Sequence, residues 1–116
     1  MDNTSSTTHV PAHYTSIWVV IPAYNEQRNV RQVVQQVRVH VPNVVVVDDC
    51  SKDNTSSEAL EGGAHVLRHP INRGQGAAIR TGMDYALQQG AHIIIHFDAD
   101  GQMQSDQIPH MIEPVI

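Results

Sequence analysis

The stretch Ile93-Ile94-Ile95-His96-Phe97-Asp98-Ala99-Asp100 decides the fold, because it joins an apolar run directly to two carboxylates. A continuous apolar run of this length is typical of a strand that is buried on both faces of a parallel sheet. Ligands of open α/β sheets bind at the carboxyl ends of the strands, where Asp98 and Asp100 come. Residues two apart on an extended chain face the same side, so both carboxylates can converge on one hard cation, Mg²⁺ or Mn²⁺. A solvated acidic turn is the simpler interpretation of this pair taken alone.

The same alternation continues upstream of this stretch. Apolar runs at residues 17–21, 44–47 and 64–67 are separated by segments of helical periodicity, and a further helix is expected from residue 107. Strands that alternate with helices predict an α/β fold, here a Rossmann-like parallel sheet with helices on both faces. We expect Pro22 to end the first strand and Asn25 to cap the first helix.

The later helices have their own boundary signals. Thr55 and Glu58 have the spacing of a capping box, which would open the second helix. The third helix is expected to run from about residue 74 to residue 89 and to bury Ala78, Ile79, Gly82, Met83, Ala86 and Leu87.

Composition narrows the class of protein. The chain has 116 residues and a formal net charge of −5 with no basic stripe, which argues against a nucleic-acid partner. The eight histidines are scattered and are expected at surface or half-buried positions, and the one cysteine suits a reducing, cytoplasmic compartment. Residues 1–15 are predicted to form a flexible polar arm, and residues 16–116 the α/β domain. No apolar stretch approaches the roughly 20 residues of a membrane helix.

Every polar cluster falls at the same predicted edge of the sheet. The clusters follow the four apolar runs and occupy residues 22–26, 48–51, 72–76 and 98–102. An aromatic ring and carboxylates suit a base and a ribose, and a metal-binding pair offsets phosphate charge. Gly74 and Gly76 fit either close helix packing or a phosphate loop, and Arg73 fits either a phosphate contact or an exposed position.

In order and spacing, these motifs resemble the family-2 glycosyltransferases of the GT-A fold. The nearest likeness is to the dolichol- or polyprenyl-phosphate sugar synthase branch. The matching stretches are residues 20–26 (VIPAYNE), 47–55 (VDDCSKDNT), 72–78 (NRGQGAA) and 97–102 (FDADGQ), the last with a D-x-D motif. The resemblance covers residues 16–116 and implies the N-terminal, donor-binding half of that fold.

The resemblance implies a role for each matching residue. Pro22, Tyr24 and Glu26 would line the nucleotide pocket. Asp49 would contact the base, and Asp48 would support its loop.

The catalytic side is implied in the same way. Asp98 would lie near the ribose and the metal, and Asp100 would be the more direct ligand of the Mg²⁺ or Mn²⁺ that bridges the diphosphate. Gln102 would lie near the sugar or the acceptor phosphate, which makes Asp100 and Gln102 the expected catalytic residues.

The implied reaction transfers a sugar from a UDP- or GDP-linked donor to a polyprenyl or dolichyl phosphate, with inversion. This implies peripheral association with the cytoplasmic face of a membrane. Two departures stand out: Cys50 replaces a frequent glycine, and residues 103–105 (MQS) replace a stretch that often contains His and Pro. The family's catalytic domain is about twice as long, so the chain is expected to be truncated at its C-terminal end, which favours self-association or poor solubility. The alternative is a truncated, non-catalytic nucleotide-binding or interaction module.

Two other classes fail on the position of their motifs. A phosphorelay receiver domain needs its acidic pair after the first strand and a lysine after the last, whereas here the pair follows the second strand and Lys52 is the only lysine. A dinucleotide-binding dehydrogenase needs G-x-G-x-x-G after the first strand. Residues 74–79 lack the third glycine and follow the third strand.

Overall fold

The structure, a computed structural model, describes residues 16–100. The arm predicted at residues 1–15, Gln102, the departure at residues 103–105 and the helix expected from residue 107 lie outside the described residues. Strands and helices alternate as follows: β1 (Ile17–Ala23), α1 (Val30–Arg38), β2 (Asn43–Asp48), α2 (Thr55–Gly62), β3 (His65–Arg68), α3 (Gln75–Gln88) and β4 (Ile93–His96). All pairings are parallel and the strand order is β3-β2-β1-β4, so the predicted parallel α/β sheet is confirmed.

Helices cover both faces of this sheet, as predicted. Successive residues of a strand point to opposite faces, so β1 contributes to two separate cores. Val19 and Ile21 are buried with the valines of α1 in one core. Trp18 and Val20 are buried on the other face with Ala78 and other residues of β2 and α3. The central strands are therefore buried on both faces, and their carboxyl ends are fixed relative to each other.

The helix α3 packs on the sheet through its smallest residues. Ala78, Gly82 and Ala86, four residues apart, are its buried positions. The prediction that Met83 and Leu87 are buried is wrong, since they are 41% and 58% exposed. The small side chains of this face let the helix approach β1 and β2 closely. The larger side chains of Met83 and Leu87 lie on the outer side of the helix.

Replacing Gly82 with Ala should destabilise the protein. A Cβ there would lie 2.4 Å from Cγ1 of Val20, a stiff and fully buried side chain. Overpacking of this kind costs roughly 1–3 kcal/mol, against about 1 kcal/mol gained in helix propensity. Gly76→Ala is the matched control, because a Cβ at that helical position meets nothing within 4 Å. Urea denaturation should show a lower free energy of unfolding for Gly82→Ala and an equal or higher one for Gly76→Ala.

The strand β1 continues through Pro22, so the prediction that Pro22 ends it is wrong. Pairing with β4 stops at Val20, whose carbonyl accepts the N–H of Phe97 at 3.0 Å. Pro22 lies beyond that ladder, where its missing N–H removes no bond to β4. On the other side, pairing with β2 continues to Ala23, whose carbonyl accepts the N–H of Asp49 at 2.9 Å. The longer strand carries Pro22 to the edge where the polar clusters meet.

The predicted cap of the first helix is also wrong. The helix α1 begins at Val30 after Asn29, and no side chain caps it. Asn25 instead lies in the preceding loop with φ of 55°, and its Oδ1 accepts the N–H of Lys52 at 2.9 Å. A contact between loops has replaced the local cap.

The second helix begins at Thr55 as predicted, but it has no capping box. Asn54 is its cap residue, without a side-chain cap bond. Glu58 pairs instead with Nε of Arg31 on α1 at 2.9 Å. The acidic side chain therefore joins two helices.

Candidate functional site

A cleft of about 350 Å³ opens at the carboxyl edge of the sheet. This volume falls in the range of small-molecule sites. Its walls are formed by Pro22, Ala23, Tyr24, Glu26, Asp49, Gln75, Ala78, Asp98, Ala99 and Asp100. Six of the residues singled out from the sequence thus lie around one cavity, whereas Asp48 does not line it.

The cleft is strongly acidic. Glu26, Asp49, Asp98 and Asp100 contribute carboxylates, and no Lys or Arg is among the described residues that line it. An anionic ligand would meet repulsion in such a cleft unless a cation came with it.

Asp98 and Asp100 flank the buried Ala99 after β4. The Asp98 side chain is 38% exposed, with Oδ1 3.3 Å from Nε2 of His96, and Asp100 is exposed. Within residues 16–100 no group of three or more His, Cys, Asp or Glu is placed to hold a metal. Two accessible carboxylates fit a cation that takes its other oxygen ligands from phosphates and water, as Mg²⁺ commonly does.

Asp49 is only 4% exposed and accepts three hydrogen bonds. Its Oδ1 accepts from the N–H of Arg73 and from Nδ1 of His69, both at 2.8 Å, and its Oδ2 accepts from the N–H of Gly74 at 2.7 Å. Burial by itself raises the pKa of Asp49. The bonds from Arg73, His69 and Gly74 outweigh burial and hold that pKa below its ordinary value. Asp49 is therefore an ionised acceptor that ties β2 to the loop before α3.

Asp48 is completely buried behind the cleft. It accepts hydrogen bonds from the N–H of Ser51 and from Nη1 of Arg68, both at 2.9 Å. Oγ of Ser56 donates to it at 2.5 Å. These bonds fix the loop that follows β2, and a role of Asp48 toward a nucleotide stays a prediction.

The loops after β1 and β2 are joined by five hydrogen bonds, which we call the clasp. In three of them the first loop donates its N–H groups: Asn25 to Ser51 Oγ (2.8 Å), Glu26 to Thr55 Oγ1 (2.9 Å) and Gln27 to Asp53 Oδ2 (3.3 Å). In two the second loop donates: Lys52 to Asn25 Oδ1 and Asn54 to Gln27 Oε1, both at 2.9 Å. The clasp fixes Tyr24, 43% exposed at the mouth of the cleft, because Tyr24 immediately precedes it.

Asp53, which accepts one of the clasp bonds, is also bonded to Thr55. Burial raises its pKa, but the hydroxyl and N–H of Thr55 and the N–H of Gln27 donate to its carboxylate and lower the pKa below its ordinary value. The carboxylate is thus kept as an acceptor for two loops.

Cys50 and Gly74 both adopt positive φ, at 69° and 97°. The backbone at Cys50 is left-handed, a conformation that only glycine adopts without cost. This gives a physical reason why the family that the sequence resembles often has glycine at this position. A Cβ on Gly74 or Gly76 meets nothing within 4 Å among residues 16–100, so the close-packing interpretation of these two glycines is wrong for the described part of the chain. Gly74 serves through its backbone, whose N–H reaches Asp49.

His69 is the functional candidate that the sequence interpretation missed. It was expected at the surface or half-buried, but it is 5% exposed and contacts Asp49 and Thr81. The available signal was position, because His69 follows β3 directly and so falls at the same edge as the other polar clusters.

Among residues 16–100, no helix combines the length and apolarity needed to cross a bilayer.

Comparison with known proteins gives the fold and the family. In structure, the chain is similar to the glucosyl-3-phosphoglycerate synthase of Mycobacterium tuberculosis, solved with Mg²⁺ and UDP, with a TM-score of 0.69 and 23% identity over 87% of this chain and 39% of that one. At this identity the likeness shows a shared fold, the GT-A type.

Two curated relatives are similar in sequence. The UDP-N-acetylglucosamine–dolichyl-phosphate N-acetylglucosaminyltransferase of Methanococcus voltae is 36% identical over 118 residues, covering 86% of this chain and 47% of the relative. The undecaprenyl-phosphate mannosyltransferase of Micrococcus luteus is 33% identical over 106 residues, covering 85% and 44%. The chain spans less than half the length of each.

The family model described as "Glycosyl transferase family 2" matches residues 18–116, which include all four polar clusters of the sequence. The chain belongs to glycosyl transferase family 2.

Proposed function

We propose that this chain binds a nucleoside-diphosphate sugar together with a divalent metal, as the donor-binding part of a glycosyltransferase that acts on a polyprenyl phosphate with inversion. The observation that carries the proposal is the acidic cleft, where an aromatic ring, the ionised Asp49 and the Asp98–Asp100 pair surround one cavity. A complex of the fold neighbour with Mg²⁺ and UDP and the polyprenyl-phosphate acceptors named for the relatives support it.

Each wall of the cleft offers the donor a different kind of contact. The exposed ring of Tyr24 offers a face on which a base can stack. Asp49, as an ionised acceptor, can receive a ring N–H, which both uracil and guanine present. Titration with UDP and with GDP distinguishes uracil from guanine.

The phosphate end of the donor requires a cation, because the charged side chains among the described residues that line the cleft are all negative. Asp98 and Asp100 would hold Mg²⁺ or Mn²⁺, with Asp100 as the more direct ligand. When bound, this cation stabilises the negative charge that grows on the departing nucleoside diphosphate. A lipid phosphate acceptor is already ionised at neutral pH, so the demand on a general base is small. As part of the same proposal, Gln102 would act near the sugar or the acceptor phosphate.

The proposal also includes association with the cytoplasmic face of a membrane, where a lipid phosphate would be met. Self-association belongs to it as well. The strand β4 lies at one edge of the sheet, and no strand among residues 16–100 pairs with its outer side. Such an edge is a template for pairing with another chain.

A non-catalytic nucleotide-binding module is the second candidate, and one observation favours it. The chain spans 47% and 44% of the lengths of the two relatives, so the matched part of each enzyme is less than half of it.

Calorimetric titration of the chain with UDP and with GDP, each with and without Mn²⁺, tests the proposed site. Metal-dependent binding of one nucleotide is expected and would identify the base. Binding of neither nucleotide by the folded chain would contradict the proposal. Where binding is found, sugar transfer to a polyprenyl phosphate supports the enzyme, and binding without transfer supports the non-catalytic module.

A further inference from the structure

His69 connects Asp49 in the wall of the cleft to Thr81 on the helix α3. Its ring is buried between two polar partners, with Nδ1 2.8 Å from Oδ1 of Asp49 and Nε2 2.8 Å from Oγ1 of Thr81. A buried histidine with both nitrogens engaged is held in one orientation, because a rotation of the ring would break two hydrogen bonds at once.

The partners also fix where the ring carries its proton. Asp49 is ionised and can only accept, so Nδ1 of His69 must donate. In the neutral ring Nε2 then accepts the hydroxyl proton of Thr81, and in the charged ring it donates to the same oxygen. The contact to Asp49 is therefore a donated hydrogen bond in both states.

The bonds leave Asp49 with capacity for a ligand. Among residues 16–100, its Oδ1 accepts two donors, from Arg73 and His69, while its Oδ2 accepts one, the N–H of Gly74. A carboxylate oxygen has room for a second donor, and Asp49 lines the cleft. With His69 and Arg73 holding Oδ1, Oδ2 is the oxygen that has room for a further donor.

We propose that His69 is a positioning residue for recognition of the nucleotide base, acting through Asp49 and itself oriented by Thr81. The proposal rests on the nucleotide site proposed above. His69 need not touch the ligand, since its effect is to hold the Asp49 carboxylate in the orientation that a base N–H requires. At metal sites, outer partners that orient a ligand change affinity by about 10-fold to 100-fold when they are removed, and we expect an effect near the lower end of that range here.

The test measures metal-dependent affinity for UDP and GDP in the full chain and in substituted chains, and uses the nucleotide that the unsubstituted chain binds. His69→Ala should weaken binding by about 10-fold. His69→Asn should recover most of the loss, because an Asn amide N–H can occupy the place of Nδ1–H. His69→Gln should not, because its amide reaches the place of Nε2 instead. The control is His92→Ala, an exposed histidine before β4 at the opposite end of the sheet, which should bind as the unsubstituted chain does.

Three outcomes would overturn the inference. Unchanged affinity in His69→Ala would show that His69 does not position Asp49, and would not contradict the nucleotide site itself. Equal affinity in the Asn and Gln variants shows that ring volume matters and the donor at Nδ1 does not. Absence of binding in the unsubstituted chain ends this inference together with the proposed function.

A second variant covers the case in which His69→Ala does not fold. Thr81→Val removes only the hydroxyl that orients the ring, at a half-buried position of α3. We expect a loss of affinity of about 3-fold, below the range for removal of the ring itself. Circular dichroism checks that this variant is folded, and unchanged affinity in the folded variant would overturn the role of Thr81 and the positioning of His69 with it.

Discussion

Replacing Asp100 with Asn is expected to abolish metal-dependent nucleotide binding and to leave the fold intact. Asp100 is exposed at the end of the chain segment that carries the acidic pair, so the substitution exposes no core. The amide keeps the size of the side chain but removes the charge that a hard cation requires. Loss of an outer partner of a metal ligand already costs up to about 100-fold in affinity, so for a direct ligand we expect the affinity measured with Mn²⁺ to fall by about 100-fold or more.

The control for this substitution is Asp84→Asn, which removes an exposed carboxylate from α3 outside the cleft. It changes the net charge of the chain by the same amount. Calorimetry with and without Mn²⁺ should show normal metal dependence for Asp84→Asn and none for Asp100→Asn. If Mn²⁺ increases the affinity of both variants alike, the assignment of Asp100 as a metal ligand is wrong.

Replacing Asp49 with Asn should produce the largest loss of stability among polar substitutions at the cleft. An amide offers one acceptor oxygen in place of two, so its NH₂ group must face the N–H of Gly74 or the donors of Arg73 and His69. Hydrogen bonds to a charged group contribute about 1.5–3 kcal/mol, and a buried donor left without a partner costs about 1–3 kcal/mol. We expect a loss of roughly 2–4 kcal/mol in the free energy of unfolding, measured by urea denaturation at neutral pH.

Acid provides an independent check on Asp49. Because its pKa is lowered in the folded state from the ordinary value of 3.8, its carboxylate stabilises the fold above that pH. This contribution is lost as the pH falls from about 3.8 toward the folded pKa. Asp49→Asn should therefore lose less stability than the unsubstituted chain over that acidic range, while Asp84→Asn should follow the unsubstituted chain. A steeper acid dependence in Asp49→Asn would contradict the role of Asp49 as a hydrogen-bonded anion.

The sheet could be predicted from the sequence because its signals are local. Each strand is a run of apolar residues, and each polar cluster comes directly after one, so parallel pairing alone brings Pro22, Tyr24, Asp49 and Asp98 to one edge. The wrong predictions concern positions where contacts with residues distant in sequence determine the structure. Asn25 fits the pattern of a helix cap, but its oxygen is used by Lys52, 27 residues farther along the chain.

The burial of His69 and the exposure of Met83 and Leu87 have the same kind of origin. His69 is buried because Asp49 and Thr81, from two different elements, satisfy its ring. Met83 and Leu87 are exposed because Gly82, rather than a larger residue, meets Val20 of the sheet. Neither arrangement can be seen in a window of neighbouring residues, since each depends on which surfaces face each other after folding.

Because of the clasp, the loops after β1 and β2 depend on each other and cannot be changed independently. Side chains of each loop accept the N–H groups of the other, so neither loop has its backbone satisfied alone. Inserting or deleting one residue in either loop would move the N–H donors away from their acceptors. Several backbone N–H groups would then lose their hydrogen bonds at once. Loop grafting or library design at this site should therefore exchange residues 24–29 and 50–55 together, at fixed length, and leave variation in length to segments outside the clasp.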